Sequence, residues 1–189
     1  MNILLAGVGG QGIILASNIL SELAMNAGYD VKKSEVHGMS QRGGSVSSHV
    51  RFGEKVYSPL IEAGTADFIL AFEKLEALRQ ISYLRQGGRV VVNDQQIEPL
   101  PVSAGLDEYP QNIIEMLKIY TDKIDLVDAL GIARRLKNIR VVNIVMLGAL
   151  SRHIDIDRLI WEKTIKQRVP KGTEEVNLKA FYLGREEKM

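Results

Sequence analysis

Four glycines, Gly7, Gly9, Gly10 and Gly12, fall in the stretch LLAGVGGQGI directly behind an apolar run, with Gln11 between the last two. Gly7-x-Gly9-x-x-Gly12 has the spacing of a strand-to-helix turn that cradles a phosphate. Glycine permits the tight bend, lets the backbone approach the anion, and packs the helix on the strand. Amides at the start of the following helix favour the same negative charge. A dinucleotide would also require an acidic residue about 20 positions on to hold its ribose, and Glu35 stands twenty-three residues after Gly12. Glu35 also lies close to Lys32 and Lys33, where it serves equally well as an ion-pair partner. Three readings of the loop stand side by side: NAD(P) or FAD binding, binding of another phosphate-bearing group, or a structural turn.

A second polar segment, EVHGMSQRGGSVSSHVRFG at residues 35–53, gathers Ser40, Gln41, Arg42, Gly43 and Gly44 between two strands. In a doubly wound sheet the loops after the first and second strands open at the same carboxyl edge, so both glycine segments are expected to line one crevice. Arg42 beside Gly43-Gly44 offers a fork of donors and exposed amides, suited to a carboxylate or phosphate. His37 and His49 flank this segment, but no carboxylate at ligand spacing accompanies them, so structural roles and no metal site are expected. Ser45, Ser47 and Ser48 lack the setting of a nucleophile elbow. Asn93-Asp94 reads equally as a ligand contact or a turn pair, and His153 as a helix cap or surface residue. No catalytic residue is assigned.

The elements that must position these loops alternate between strand and helix. Ile3-Leu4-Leu5-Ala6 is a strand apolar on both faces, and GIILASNILSELAMNAG a helix ending near Gly28. YDVKKSEV and VSSHVRFG read as strands, KVYSPL as an edge or hairpin segment, and ADFILAF and GRVVVND as buried strands on either side of the helical EKLEALRQISYLRQGG. Prolines and a glycine between Gln95 and Pro110 mark an irregular surface connection. A short helix from Gln111, the strand KIDLV and the helix DALGIARRL complete the alternation. IRVVNIVMLGALSRHI is apolar nearly all round and reads as an enclosed helix, with Gly148 allowing close approach of a neighbour. Two amphipathic helices follow, the last with Thr173 as its expected N-cap. The expected fold is α/β: a Rossmann-like, doubly wound, mostly parallel sheet with additional C-terminal helices.

Composition narrows the function classes. The chain has 189 residues, 46% hydrophobic and 25% charged, which suits one globular domain spanning residues 1–189. A formal charge of +1 supplies no overall field toward nucleic acid or an anionic membrane. No apolar run of about 18 residues is present, and the chain opens directly on a core-like strand, so a cytoplasmic location is expected. There is no cysteine, which excludes disulfides, thiolate metal sites, a cysteine nucleophile and Cys-ligated iron–sulfur clusters within this chain.

GVGGQGIILAS followed by EVHGMSQRGGSVSSHVRFG resembles the small subunit of indolepyruvate ferredoxin oxidoreductase and, more broadly, the gamma subunit or domain of the 2-oxoacid:ferredoxin oxidoreductases. The resemblance runs from Ile3 to the NIVMLGAL helix and on into the C-terminal helices. It implies a hetero-oligomeric enzyme that decarboxylates an arylpyruvate on thiamine diphosphate, passes electrons through iron–sulfur clusters to ferredoxin, and releases an aryl-acetyl-CoA. This chain lacks the thiolates for clusters and the Gly-Asp-Gly pattern with trailing Asn-Asn that holds magnesium and diphosphate. Thiamine diphosphate, magnesium and the clusters are therefore expected on a larger partner chain, with CoA as co-substrate of the complex. On this reading the isolated chain is inactive. Gly7, Gly9, Gly10, Gln11 and Gly12, with Ser40, Gln41, Arg42, Gly43 and Gly44, form the crevice facing the partner and its CoA or 2-oxoacid. The rival expectations are a free-standing NAD(P)-dependent oxidoreductase and a non-catalytic binding module.

Overall fold

The structure, a computed structural model, describes residues 1–37 and 44–186. Its strands are β1 (Asn2–Val8), β2 (Asp30–His37), β3 (Ser45–Gly53), β4 (Ala66–Ala71), β5 (Leu84–Asn93) and β6 (Ile124–Val127). Its helices are α1 (Ile13–Asn26), α2 (Lys74–Arg79), α3 (Leu100–Ser103), α4 (Ile113–Lys118), α5 (Ala129–Arg135), α6 (Val142–Ser151), α7 (Arg158–Arg168) and α8 (Glu174–Glu186). The six strands make one sheet in the order β2-β3-β1-β4-β5-β6. β1, β4, β5 and β6 pair in parallel, while β3 runs antiparallel to both β1 and β2. The reversal follows from chain length: only residues 38–44 link β2 to β3, and a parallel crossover needs about a dozen residues or more.

Apolar side chains on both faces of the sheet demand cover on both sides. One face packs under α1, α5, α6, α7 and α8, and the other under α2 and α4. All ten residues of α6 are buried, as expected of a helix apolar all round. α6 meets α8 at backbone distance: a Cβ on Gly148 would stand 2.1 Å from the Phe181 carbonyl oxygen, and one on Gly184 2.0 Å from that of Val145.

Two expectations fail locally. The KVYSPL stretch forms no strand: Pro59 has no amide to donate, Val56 N gives its hydrogen to Asp30 Oδ2 at 3.0 Å, and the Arg51 guanidinium holds the Ser58 and Leu60 carbonyls. The helix expected to run to Gly88 stops at Arg79, and after a single 3-10 turn β5 already begins at Leu84. Among the described residues no helix is long and apolar enough to cross a membrane.

Candidate functional site

β1 delivers the glycine loop to the carboxyl edge of the sheet. Gly10 has φ 101° and Gly12 φ 79°, backbone that glycine adopts without strain. Gly7 is set by space, since a Cβ there would come within 2.8 Å of Gln11 Oε1 and 3.0 Å of Phe72 Cβ. The room it leaves lets the Gln11 side chain fold back. Gln11 Oε1 accepts from Val8 N at 2.7 Å, and its Nε2 donates to Phe72 O at 2.9 Å and to Gln95 Oε1 at 3.3 Å. Gln11 thereby ties the loop to the ends of β4 and β5. Gly9 N donates to Gly44 O at 3.0 Å, so the two glycine segments do meet at one edge. Ser40, Gln41, Arg42 and Gly43 lie outside the described residues.

A cleft of about 360 Å³ opens beside this loop. Gly10, Gln11, Gly12, Gln95, Arg140 and Asn143 provide its polar lining, and Leu15, Leu130, Ile139 and Val142 its apolar walls. The amino end of α1 faces it with no acidic residue in the first turn and no side-chain cap on Gly12, which leaves the first-turn amides and the positive end of the helix dipole for an anion. Arg140 is exposed at the rim. Asn143 fixes the far wall by donating to Gly12 O at 3.3 Å. The lining contains no carboxylate, imidazole or hydroxyl, so the cleft can bind and orient a ligand with an anionic group and an apolar body but offers no acid, base or nucleophile. Among the described residues no group of three or more His, Asp or Glu is placed to hold a metal ion.

The dinucleotide reading loses its acid. β3 intervenes between β1 and β2, so Glu35 lies two strand spacings from β1, about 10 Å. Its carboxylate meets Lys33 Nζ at 2.6 Å. The ion-pair alternative is the one the fold uses.

His49, Asn93, Asp94 and His153 each have partners within the fold, and the side chain of His37 lies outside the described residues. His49 is buried in β3, where its Nδ1 accepts from Ile61 N at 3.0 Å and its ring meets Tyr83 edge-on; burial lowers its pKa below the usual 6.5. Asn93 is fully buried, donates to Phe72 O and Gln95 Oε1, and accepts from Ala129 N. Asp94 pairs with Lys74 at 2.9 Å. His153 is neither cap nor free surface: its Nε2 lies 2.5 Å from the fully buried Asp125 carboxylate, which Arg89 and Arg152 also contact. β6 brings Asp125 under the end of α6, a juxtaposition that sequence spacing does not reveal.

Sequence reasoning missed a polar cluster at the same carboxyl edge. Glu73, 1% exposed, caps α2 by accepting from Glu76 N, and also accepts from Ile97 N and from the Tyr109 hydroxyl at 2.5 Å. Burial and then the Glu73 carboxylate push the Tyr109 pKa up, so the hydroxyl stays a donor. Glu76, 2% exposed, accepts from Ser45 Oγ at 2.5 Å and Arg79 at 2.6 Å. The one available signal was Glu73 itself, an acidic residue directly after a buried strand.

Comparison with known proteins spans nearly the whole chain. The family described as pyruvate ferredoxin/flavodoxin oxidoreductase matches residues 2–187. The indolepyruvate oxidoreductase subunit IorB of Thermococcus kodakarensis is 46% identical, the match covering 97% of this chain and 93% of that protein. The pyruvate oxidoreductase subunit PORC from Thermotoga maritima superposes with a TM-score of 0.72 at 26% identity, covering 99% of this chain and 96% of that one. A 2-oxoglutarate:ferredoxin oxidoreductase from Magnetococcus marinus shares the fold, with a TM-score of 0.75 at 22% identity, over 98% of this chain but 30% of the longer one. Sequence and fold thus agree from one end to the other, and the chain belongs to the pyruvate ferredoxin/flavodoxin oxidoreductase family.

Proposed function

We propose that this chain is the small subunit of a cytoplasmic oxidoreductase that converts indolepyruvate and related arylpyruvates to aryl-acetyl-CoA, with reduction of ferredoxin. The carboxyl group leaves as carbon dioxide, the acyl group goes to the CoA thiol, and the electrons go to ferredoxin. The observation that carries the reading is 46% identity, across 97% of the chain, to an indolepyruvate oxidoreductase subunit. The chain chemistry does not fit the electron carriers: clusters are held by thiolates, and the sequence has no cysteine. We assign the clusters, thiamine diphosphate and its magnesium ion to a larger partner chain, and no step of the reaction is routed through residues of this one.

What this chain supplies is a wall with an anion-binding cleft. Gly10, Gly12 and the start of α1, with Arg140 across the cleft, are suited to hold a phosphate of CoA or the carboxylate of the 2-oxoacid. Gly44, which accepts the Gly9 amide, extends the same edge. The test is co-purification with the large chain and viologen reduction assayed across indolepyruvate, phenylpyruvate, pyruvate and 2-oxoglutarate. Indolepyruvate should give the largest kcat/KM; a preference for 2-oxoglutarate would contradict the substrate assignment. Arg140→Ala should raise one KM, for CoA or for the 2-oxoacid, by about tenfold with assembly intact; unchanged constants would sink the cleft assignment.

A further inference from the structure

α2 is six residues long, yet it and its N-cap carry two nearly fully buried carboxylates, Glu76 and Glu73. Burying a carboxylate is costly unless donors surround it, and here the donors come from two separate segments, each joined to residues that line the cleft. Glu76 holds the first residue of β3, Ser45 Oγ, at 2.5 Å. The preceding residue, Gly44, accepts the Gly9 amide at the head of the glycine loop, and Gly10 and Gly12 of that loop line the cleft. On the other side Glu73 holds Ile97 N and the Tyr109 hydroxyl, and Lys74 N donates to Gln95 O at 3.1 Å. Gln95 is itself a lining residue and receives the Gln11 amide.

We propose that Glu76 with Ser45, and Glu73 with Tyr109, are positioning residues: through Gly44–Gly9 and through Gln95–Gln11, α2 and its N-cap hold the glycine-loop wall of the cleft in place. Neither carboxylate lines the cleft, so they act through the backbone they hold. This rests on the function proposed above, and two readouts keep the two claims apart. In the assembled complex, Ser45→Ala should raise the KM of the cleft's ligand, CoA or 2-oxoacid, about threefold to tenfold. In that variant kcat should stay near wild type while the melting temperature falls by a few degrees, since the buried Glu76 loses a donor, and Ser45→Thr, which keeps the hydroxyl, should restore KM. Tyr109→Phe should raise the same KM. A fall in melting temperature with unchanged KM in both variants would overturn the positioning role. Hydrogen exchange needs no activity: Ser45→Ala should speed exchange of the Gly9 amide, and unchanged protection there would also overturn the clamp. An inactive wild-type complex would refute the proposed function, while exchange at Gly9 would still decide the clamp.

Discussion

At the scale of single residues, the chemistry of His49 fixes its tautomer and its pH response. Its Nδ1 accepts the Ile61 amide, so the ring is neutral with its proton on Nε2, and burial lowers its pKa below 6.5. The unfolded chain therefore binds a proton more readily than the folded one. Stability from this residue is complete above pH 6.5 and declines as pH falls below it. Melting temperature measured from pH 8 to 5 should fall less steeply in His49→Gln than in wild type; parallel curves would contradict the assignment. Asp30 acts lower on the scale: the Val56 amide, then Lys32, bring its pKa to about 2 from 3.8. Its contribution is present above 3.8 and lost as pH drops toward 2, so Asp30→Asn should flatten that acid limb. The glycine loop beside the cleft was legible at this scale, because glycine spacing marks a turn whatever occupies it. What Gly7 makes room for was not legible, since Gln11 and Phe72 meet only in the fold. Arg140 escaped for the same reason: nothing in its neighbourhood in the sequence connects it to a loop more than a hundred positions earlier.

At the scale of elements, α6 and α8 cross at backbone distance, and the crossing depends on Gly148 and Gly184. A methyl group at either would overlap a carbonyl oxygen of the facing helix, and relief would require the helices to part within a packed core. Gly148→Ala should cost on the order of 3 kcal/mol, the upper end for overpacking, read as a shifted urea midpoint with unchanged slope; a shift under 0.5 kcal/mol, the range of surface substitutions, would contradict the packing. Gly148 was legible as a point of close approach because its helix is apolar all round. Gly184 lies in a helix read as amphipathic, a pattern that does not mark which neighbour comes close. The strands themselves were legible from apolar runs, but the direction of β3 was not anticipated, although the short link after β2 dictates it. That reversal matters for function: it places β3 between Glu35 and the glycine loop and removes the ribose acid from a dinucleotide site.

At the scale of the whole molecule, this chain is a covered sheet with a cleft at its carboxyl edge whose lining holds no carboxylate, imidazole or hydroxyl for proton transfer or nucleophilic attack. A family of oxidoreductases needs such groups and electron carriers somewhere, and a solved structure of the same fold matches this chain over 30% of its own, longer length. The composition was the most informative sequence feature at this scale, because a chain with no cysteine has no thiolate to ligate an iron–sulfur cluster. The decisive measurement is viologen reduction with indolepyruvate and CoA, made on the purified chain, on the purified large subunit and on their mixture. The account predicts no turnover by this chain alone and restored activity when it is titrated into the large subunit. Oxidation of arylpyruvates by this chain unaided, or full activity of the large subunit without it, would contradict the account.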